Sequence, residues 1–239
     1  MNLAIDHGNT RIKVGVFDQN TLQEQLTFED ITFFEKWVDQ KLFRNLIISS
    51  VSKSPESLLK LVEIEDKKIE LSQSLPLPID VRYGSRSTLG VDRIAAACGA
   101  IEVAPGCDSL VIDMGTCINY EFIDSQAIYY GGAISPGVKM RFEAMHTFTA
   151  KLPLVKAKEK VELIGRTTEE CMQSGVINGV LAEIEGLIQK YKAKYPNLAV
   201  ILCGGDAFLF ENRLKQPIFV APNLVLKGLN RILLHNVNF

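Results

Sequence analysis

Apolar runs and polar interruptions divide the chain into short strands alternating with amphipathic helices. Residues 2–6 and 12–18 read as two strands joined by the turn Gly8-Asn9-Thr10, and Leu22–Phe28 adds a third after Asp18-Gln19-Asn20. This opening is an antiparallel meander. An amphipathic stretch follows at Phe33–Leu42, then the strand Leu46–Val51, a helix opened by Ser54-Pro55-Glu56 and a short strand near Lys68–Leu71. Pro76 and Pro78 precede the polar, glycine-containing loop Tyr83-Gly84-Ser85-Arg86-Ser87-Thr88. A helix predicted over Val91–Ala104 draws on the propensity of Ala95-Ala96-Ala97, and Pro105-Gly106 stops it.

After that stop the pattern starts again. Strands are predicted at 109–113, 118–123 and 127–134, then a helix from about Val138 and a longer one over Thr168–Tyr195. The strand Leu198–Cys203, the turn Gly204-Gly205-Asp206, a helix near Ala207–Leu214, the strand Ile218–Val220 and a helix over Leu224–His235 complete the chain. The two halves share a motif. Pairing Asp6 with Asp113 sets an offset of 107 residues and places Leu3, Ile5 and Gly8 on Leu110, Ile112 and Gly115. Agreement in motif and in the strand order that follows points to duplication, giving an α/β chain of two domains, 1–106 and 107–239.

Composition narrows the partner. With 239 residues the chain can bury one large core or two modest ones. The formal charge is −2 and no Lys/Arg block stands out, so the electrostatic footprint of a nucleic-acid binder is missing and a small molecule is the better partner. Five scattered cysteines without a Cys-x-x-Cys pair read as reduced thiols. Neither a signal-like N-terminus nor an apolar run of spanning length is present, so the expected location is the cytoplasm, away from membranes.

The repeated motif suits phosphoryl transfer. An apolar run such as Leu3-Ala4-Ile5 predicts a central strand, which exposes the following Asp only at the sheet edge. A carboxylate there can hold Mg²⁺, which takes one or two carboxylates together with phosphate oxygens. The glycine two residues on permits a tight turn whose N–H groups can approach a phosphate, with Asn9, Thr10 and Thr116 as further donors. One such loop is more often a plain turn, because Asp and Gly favour turns for their own reasons. Two equivalent loops favour a phosphate clamp. For the attacking hydroxyl the candidate base is Asp92, which opens a helix in Gly90-Val91-Asp92-Arg93; equally, Asp92 can simply favour the helix N-terminus, with Arg93 solvated.

Together, Asp6-His7-Gly8-Asn9-Thr10, Tyr83, Gly90-Val91-Asp92-Arg93, Asp113-Met114-Gly115-Thr116, the run from Gly131 to Gly137, and Gly204-Gly205-Asp206-Ala207 resemble the type III pantothenate kinases. These belong to the superfamily of acetate and sugar kinases, heat-shock chaperone ATPases and actin. The resemblance implies two tandem ribonuclease H-like (actin-like ATPase) domains, each a mixed sheet flanked by helices, with the nucleotide in the cleft between them. It implies ATP-dependent phosphorylation of the terminal hydroxyl of pantothenate, the first step towards coenzyme A. Asp6, which would bind Mg²⁺, would form the first phosphate loop with Gly8, Asn9 and Thr10, assisted by Lys13. Gly115 and Thr116 would form the second with Asp113, a ligand of K⁺ or NH₄⁺, while Gly204 and Gly205 would border the adenosine. Asp92 would be the base, and Tyr83, Gly90 and Arg93 would line the pantothenate pocket.

The family is typically homodimeric, a threonine of the neighbouring subunit closing the pantothenate pocket; the matching position is Thr168. Gly175 and Gly179, four apart on one helix, offer a smooth stripe either to a partner helix or to packing within the subunit. In the second loop, Cys117, Asn119 and Glu121 stand where many relatives have Ala, Thr and Asp, which bears on cation affinity. The run Gly132–Met140 imitates a Walker A loop, but its Lys is one place late and no Ser or Thr follows. Gly131 and Gly132 are instead expected to let substrate approach the backbone. His7, His146 and His235 are too isolated for a metal cluster. Two other functions compete: a kinase or phosphatase of the same superfamily with a different substrate, and a non-catalytic regulator, since relatives of this fold have been described as accessory transcription factors. The three aspartates and the lack of a basic helix face weigh against the regulator.

Overall fold

A computed structural model describes residues 1–8, 11–50 and 55–237. Asn9 and Thr10 of the expected first phosphate loop, and Val51 and Ser54 at the expected ends of a strand and a helix, lie outside the described residues. The strands are β1 (Asn2–His7), β2 (Ile12–Asp18), β3 (Thr21–Phe28), β4 (Leu42–Ser50), β5 (Glu63–Glu70), β6 (Asp80–Val81), β7 (Ser109–Met114), β8 (Cys117–Ile123), β9 (Ile128–Pro136), β10 (Ala199–Cys203) and β11 (Phe219–Val220). The helices are α1 (Ile31–Val38), α2 (Glu56–Leu61), α3 (Val91–Val103), α4 (Val138–Thr147), α5 (Thr168–Lys194) and α6 (Leu224–Val237). Two compact units emerge. Unit 1 takes Met1–Gly106, Ile123–Tyr130 and the segment from Asn223 onward; unit 2 takes Cys107–Phe122 and Gly131–Pro222.

In unit 1 the sheet order is β3-β2-β1-β4-β5. β1 is central, antiparallel to β2 and parallel to β4, and its Leu3, Ala4 and Ile5 are fully buried. Such burial on both faces is what a continuous apolar run requires. The helix α1 begins two residues before the expected stretch because Asp30 caps it, its Oδ1 accepting from the N–H groups of Thr32 (2.8 Å) and Phe33 (3.2 Å). It ends at Val38, Gln40 turns the chain at φ 61°, and Leu42 opens β4 rather than closing the helix. β5 is longer than expected, pairing in parallel with β4 over most of its length. Unit 1 also contains β6, absent from the sequence reading, which pairs in parallel with Ile128–Tyr129.

The closing helix α6 packs on α3 at a crossing built on two glycines. A Cβ on Gly228 would overlap the Ala95 carbonyl oxygen and lie 2.7 Å from the Gly99 nitrogen; one on Gly99 would overlap the Leu224 carbonyl oxygen. The two backbones therefore touch, and α6 joins unit 1 although it follows unit 2 in sequence.

The strands of unit 2, read from β9, run β9-β8-β7-β10-β11, position for position the order of unit 1. The duplication inferred from the offset of Asp6 and Asp113 is thus a duplication of topology. β7 is again central and parallel to β10, setting Asp113 opposite Cys203. Over the sheet lies α5, which buries Met172, Val176, Ile177, Val180, Ile184 and Ile188 at helical spacing against Leu110, Ile112, Tyr120 and Phe122. The helix expected near Ala207–Leu214 is only a single 3-10 turn, Ala207–Leu209. Ala207, Leu209 and Phe210 are all buried, a spacing that no single helical face supplies.

Gly228→Ala is expected to cost about 1–3 kcal/mol, the usual penalty of overpacking, and to lower the thermal midpoint by several degrees. Gly186→Ala, where an added Cβ meets nothing within 4 Å, is expected to be neutral or to gain up to about 1 kcal/mol. Thermal unfolding of the two variants checks the contrast.

Candidate active site

Asp6 lies one residue before the end of β1 on the partly buried rim of the sheet, and strand register selects its neighbours. Lys13 lies opposite it on β2 and Ser49 on β4. The fully buried Ser49 donates its Oγ hydrogen to Asp6 Oδ1 at 3.2 Å. Burial pushes the Asp6 carboxyl above the usual carboxylate range; Lys13 pulls it down, Asp92 pushes it up and the Ser49 hydrogen bond pulls it down, leaving it raised. Asp6 and Asp92 therefore feel each other, as expected of two members of one site. Beyond them, Gly8 donates its N–H to the Arg11 carbonyl at 3.1 Å. His7 Nδ1 lies 3.3 Å from Ser50 Oγ, a contact between adjacent strands.

Asp92 stands in the first turn of α3, and its Oδ1 accepts the Arg93 N–H at 2.9 Å. This fold-back explains the preceding glycine, since a Cβ on Gly90 would stand 2.5 Å from that same oxygen. Arg93 is only 8% exposed, so it is not the solvated arginine of the simpler reading. Its guanidinium carbon sits 5.5 Å from the centroid of the Tyr83 ring, which in turn lies 6.2 Å from the ring of Tyr129. Gln73 fastens the loop between them, donating its side-chain N–H to the Leu89 carbonyl (2.9 Å) while its own carbonyl accepts from Arg86 Nε (3.0 Å). Tyr83, Gly90, Asp92 and Arg93 are thus gathered in unit 1.

In unit 2, Asp113 lies half-buried one residue before the end of β7, and Gly115 and Thr116 are exposed beyond the strand. Gly115 donates its N–H to the Cys117 carbonyl at 3.0 Å, and Thr116 accepts from the Gly137 N–H at 3.1 Å. Gly204 has φ +91° and lies directly on the Met114 backbone, where any Cβ would collide. Next to it Gly205 faces open space. Asp206, whose carboxyl burial pushes up, helps line a cleft of about 300 Å³ with Val138, Phe142, Val155 and Ala157. Gly132 is exposed while Gly131 is buried, and a Cβ on Gly132 would collide with the Tyr120 carbonyl, so close backbone packing against β8 requires a glycine there.

Thr168 is the exposed first residue of α5. Its neighbour Thr167 caps the helix, accepting from the Glu170 N–H at 3.2 Å, while Glu170 accepts in return from the Arg166 N–H at 2.8 Å. Gly175 and Gly179 are exposed, and a Cβ on either meets nothing within 4 Å, so packing within the subunit is not their use. Ser49, Gln73 and Tyr129 were missed from the sequence, and Asp206 stands in its motif without a predicted role. Ser49 had one readable signal, its place in a strand pairing parallel to β1; Gln73 and Tyr129 lack any motif.

The raised Asp6 carboxyl sets a sign. A group that holds its proton more tightly in the folded state lowers stability as pH rises from its unfolded value, near 3.8, through its folded value. At neutral pH the charged Asp6 therefore opposes folding of the ligand-free chain. Asp6→Asn is expected to raise the ligand-free thermal midpoint by about 2–4 °C, the shift that about 1 kcal/mol produces at this length, while abolishing turnover. Calorimetric scanning beside an activity assay checks both; a lowered midpoint contradicts the electrostatic account.

Comparison with known proteins identifies the family. The type III pantothenate kinase family matches over residues 2–190. A type III pantothenate kinase of Cytophaga hutchinsonii is 46% identical, covering 99% of this chain and 100% of its own. Among solved structures, a Campylobacter jejuni protein described as a Baf family transcriptional activator superposes with a TM-score of 0.65 at 21% identity, over 99% of this chain and 100% of that one. The (R)-2-hydroxyglutaryl-CoA dehydratase component A of Acidaminococcus fermentans does so at 0.51 and 13%, over 98% and 96%. These likenesses give the fold, two ribonuclease H-like domains of the actin-like ATPase and sugar kinase type. With its motifs in order, its duplicated sheet and a full-length relative at this identity, the chain belongs to the type III pantothenate kinase family.

Proposed function

We propose that the chain transfers the terminal phosphoryl group of ATP to the terminal hydroxyl of pantothenate, the first step of coenzyme A synthesis, in the cytoplasm. The observation that carries this reading is Asp92 at the start of α3, beside a buried Arg93 under the Tyr83 ring and within the field of Asp6. In the reaction the pantothenate hydroxyl gives its proton to Asp92 and its oxygen bonds to the γ-phosphorus. The bond from that phosphorus to the bridging oxygen breaks, and ADP leaves. Arg93 and Tyr83 hold the substrate, with Arg93 matched to the pantothenate carboxylate.

Asp6 would hold Mg²⁺, which when bound would supply positive charge beside the phosphate oxygens. The fit rests on Asp6 itself: burial and Asp92 both oppose its ionisation, and a divalent cation relieves both effects. Lys13, Gly8, Asn9 and Thr10 complete the first phosphate loop, and Gly115 and Thr116 form the second. Asp113 would hold a monovalent cation, K⁺ or NH₄⁺, to which its partly buried carboxylate would supply an oxygen donor. Gly204 and Gly205 border the adenosine, for which the apolar cleft at Phe142, Val155 and Asp206 is suited in size and lining.

The proposed assembly is a homodimer in which Thr168 closes the partner's pantothenate pocket. Two exposed helical glycines support it, because each costs about 1 kcal/mol of helix stability and neither gains contacts within the subunit. The two domains are, by descent, 1–106 and 107–239, with α6 returned to the first by packing.

Asp92→Asn is expected to lower kcat by about 10²–10⁴-fold, the range of general-base catalysis, while ATP affinity stays within about threefold. Steady-state kinetics and calorimetry check this, and full turnover in the variant removes the base assignment. Light scattering is expected to show a dimer; an active monomer would rule out the shared pocket.

A further inference from the structure

Glu183 on α5 belongs to none of the groups discussed so far, yet it accepts three hydrogen bonds while half-buried. Tyr120 OH (2.9 Å) and Ser135 Oγ (2.6 Å) donate to its Oε1, and an Arg141 terminal N–H donates to its Oε2 at 2.5 Å. Burial alone would raise the Glu183 carboxyl, but these hydrogen bonds, from Ser135 first and then Arg141 and Tyr120, outweigh it and leave the group below the usual range. Burial pushes the Tyr120 hydroxyl well up, so it stays a donor. Stability is a weak reason for such a cluster, since a partly buried ion pair is often no better than apolar side chains of the same volume.

What the cluster grips is more telling. Arg141 also donates from Nε to the Pro136 carbonyl at 2.8 Å. Glu183 and Arg141 therefore hold consecutive residues, Ser135 and Pro136, and the next residue is Gly137. Its N–H donates to the Thr116 carbonyl, and its Cβ position is blocked by the carbonyls of Thr116 and Gly115. The turn 135–137 thus lies in direct backbone contact with the loop Gly115-Thr116. A glycine loop has no side chains of its own to fix the direction of its N–H groups, and positioning donors for phosphate oxygens is most of what a phosphoryl-transfer site does.

We propose that Glu183, acting through Arg141 and Ser135, is a positioning residue for the Gly115-Thr116 phosphate loop and sets the affinity for the ATP phosphates. The inference rests on the reading of that loop as a phosphate site. Tyr120 provides a graded control, because its hydroxyl binds the same carboxylate and touches the Ser135 side chain without gripping the Pro136 carbonyl as Arg141 does. The test compares Glu183→Gln, Ser135→Ala and Tyr120→Phe with the unsubstituted chain. Mg²⁺-ATP affinity is read by titration calorimetry, the two KM values by steady-state kinetics, and folding by thermal unfolding.

Glu183→Gln is expected to weaken ATP binding about tenfold and Ser135→Ala about threefold, with KM for pantothenate within twofold of the unsubstituted chain. Tyr120→Phe is expected to lower the thermal midpoint yet keep ATP affinity within twofold. ATP affinity unchanged in folded Glu183→Gln and Ser135→Ala, or weakened equally in Tyr120→Phe, would overturn the positioning role. ATP binding without pantothenate turnover in the unsubstituted chain would overturn the substrate reading and leave the affinity comparison intact; no ATP binding at all would overturn both.

Discussion

A carboxylate placed near the end of a strand buried on both faces is the constraint from which the rest of this chain follows. Asp6 cannot reach bulk water freely, because β1 is central and Ser49 and Lys13 flank it in register. Burial and the nearby Asp92 both disfavour its charge. A fold selected for stability alone would place a neutral residue there. The charged residue fits the cation ligand proposed above, and its neighbours include a lysine across the strand pair and a second aspartate at the start of a helix.

Duplication of the topology carries the same geometry into unit 2, where Asp113 lies one residue before the end of β7 and the Gly115-Thr116 loop follows. The two copies differ in what holds them. In unit 1 the site is fastened by register within the sheet and by Gln73 across the substrate loop. In unit 2 it is fastened from outside the sheet, through backbone contact of Gly137 and Gly204 with the loop and through the Glu183 and Arg141 cluster behind the turn. Each unit sets its aspartate and the loop after it near the end of a central strand.

Much of this was legible in the amino-acid order. Apolar runs locate the central strands because continuous burial leaves no alternation to read, and the Asp-x-Gly echo reveals the repeat. Asp92 and Arg93 of α3 stood out by type, but the burial of Arg93 beside the Tyr83 ring, ten residues away in sequence, left no signal to read. The 3-10 turn at Ala207–Leu209 replaced an expected helix because tertiary burial of Phe210 overrides local propensity. Glycines were the hardest residues to read. Gly132 and Gly228 look permissive in sequence, yet the structure uses them for close backbone packing. Glu183 carries no motif, because its role depends on three donors spread from Tyr120 to Arg141.

The central claim is that this machinery delivers phosphate to one hydroxyl of one small molecule. Mass spectrometry and phosphorus NMR of the product formed from pantothenate, ATP, Mg²⁺ and K⁺ test it most directly. The account predicts stoichiometric ADP and a single phosphomonoester on the terminal hydroxyl of pantothenate. ATP consumption without that phosphomonoester, or phosphorylation of unrelated polyols in preference to pantothenate, would contradict it.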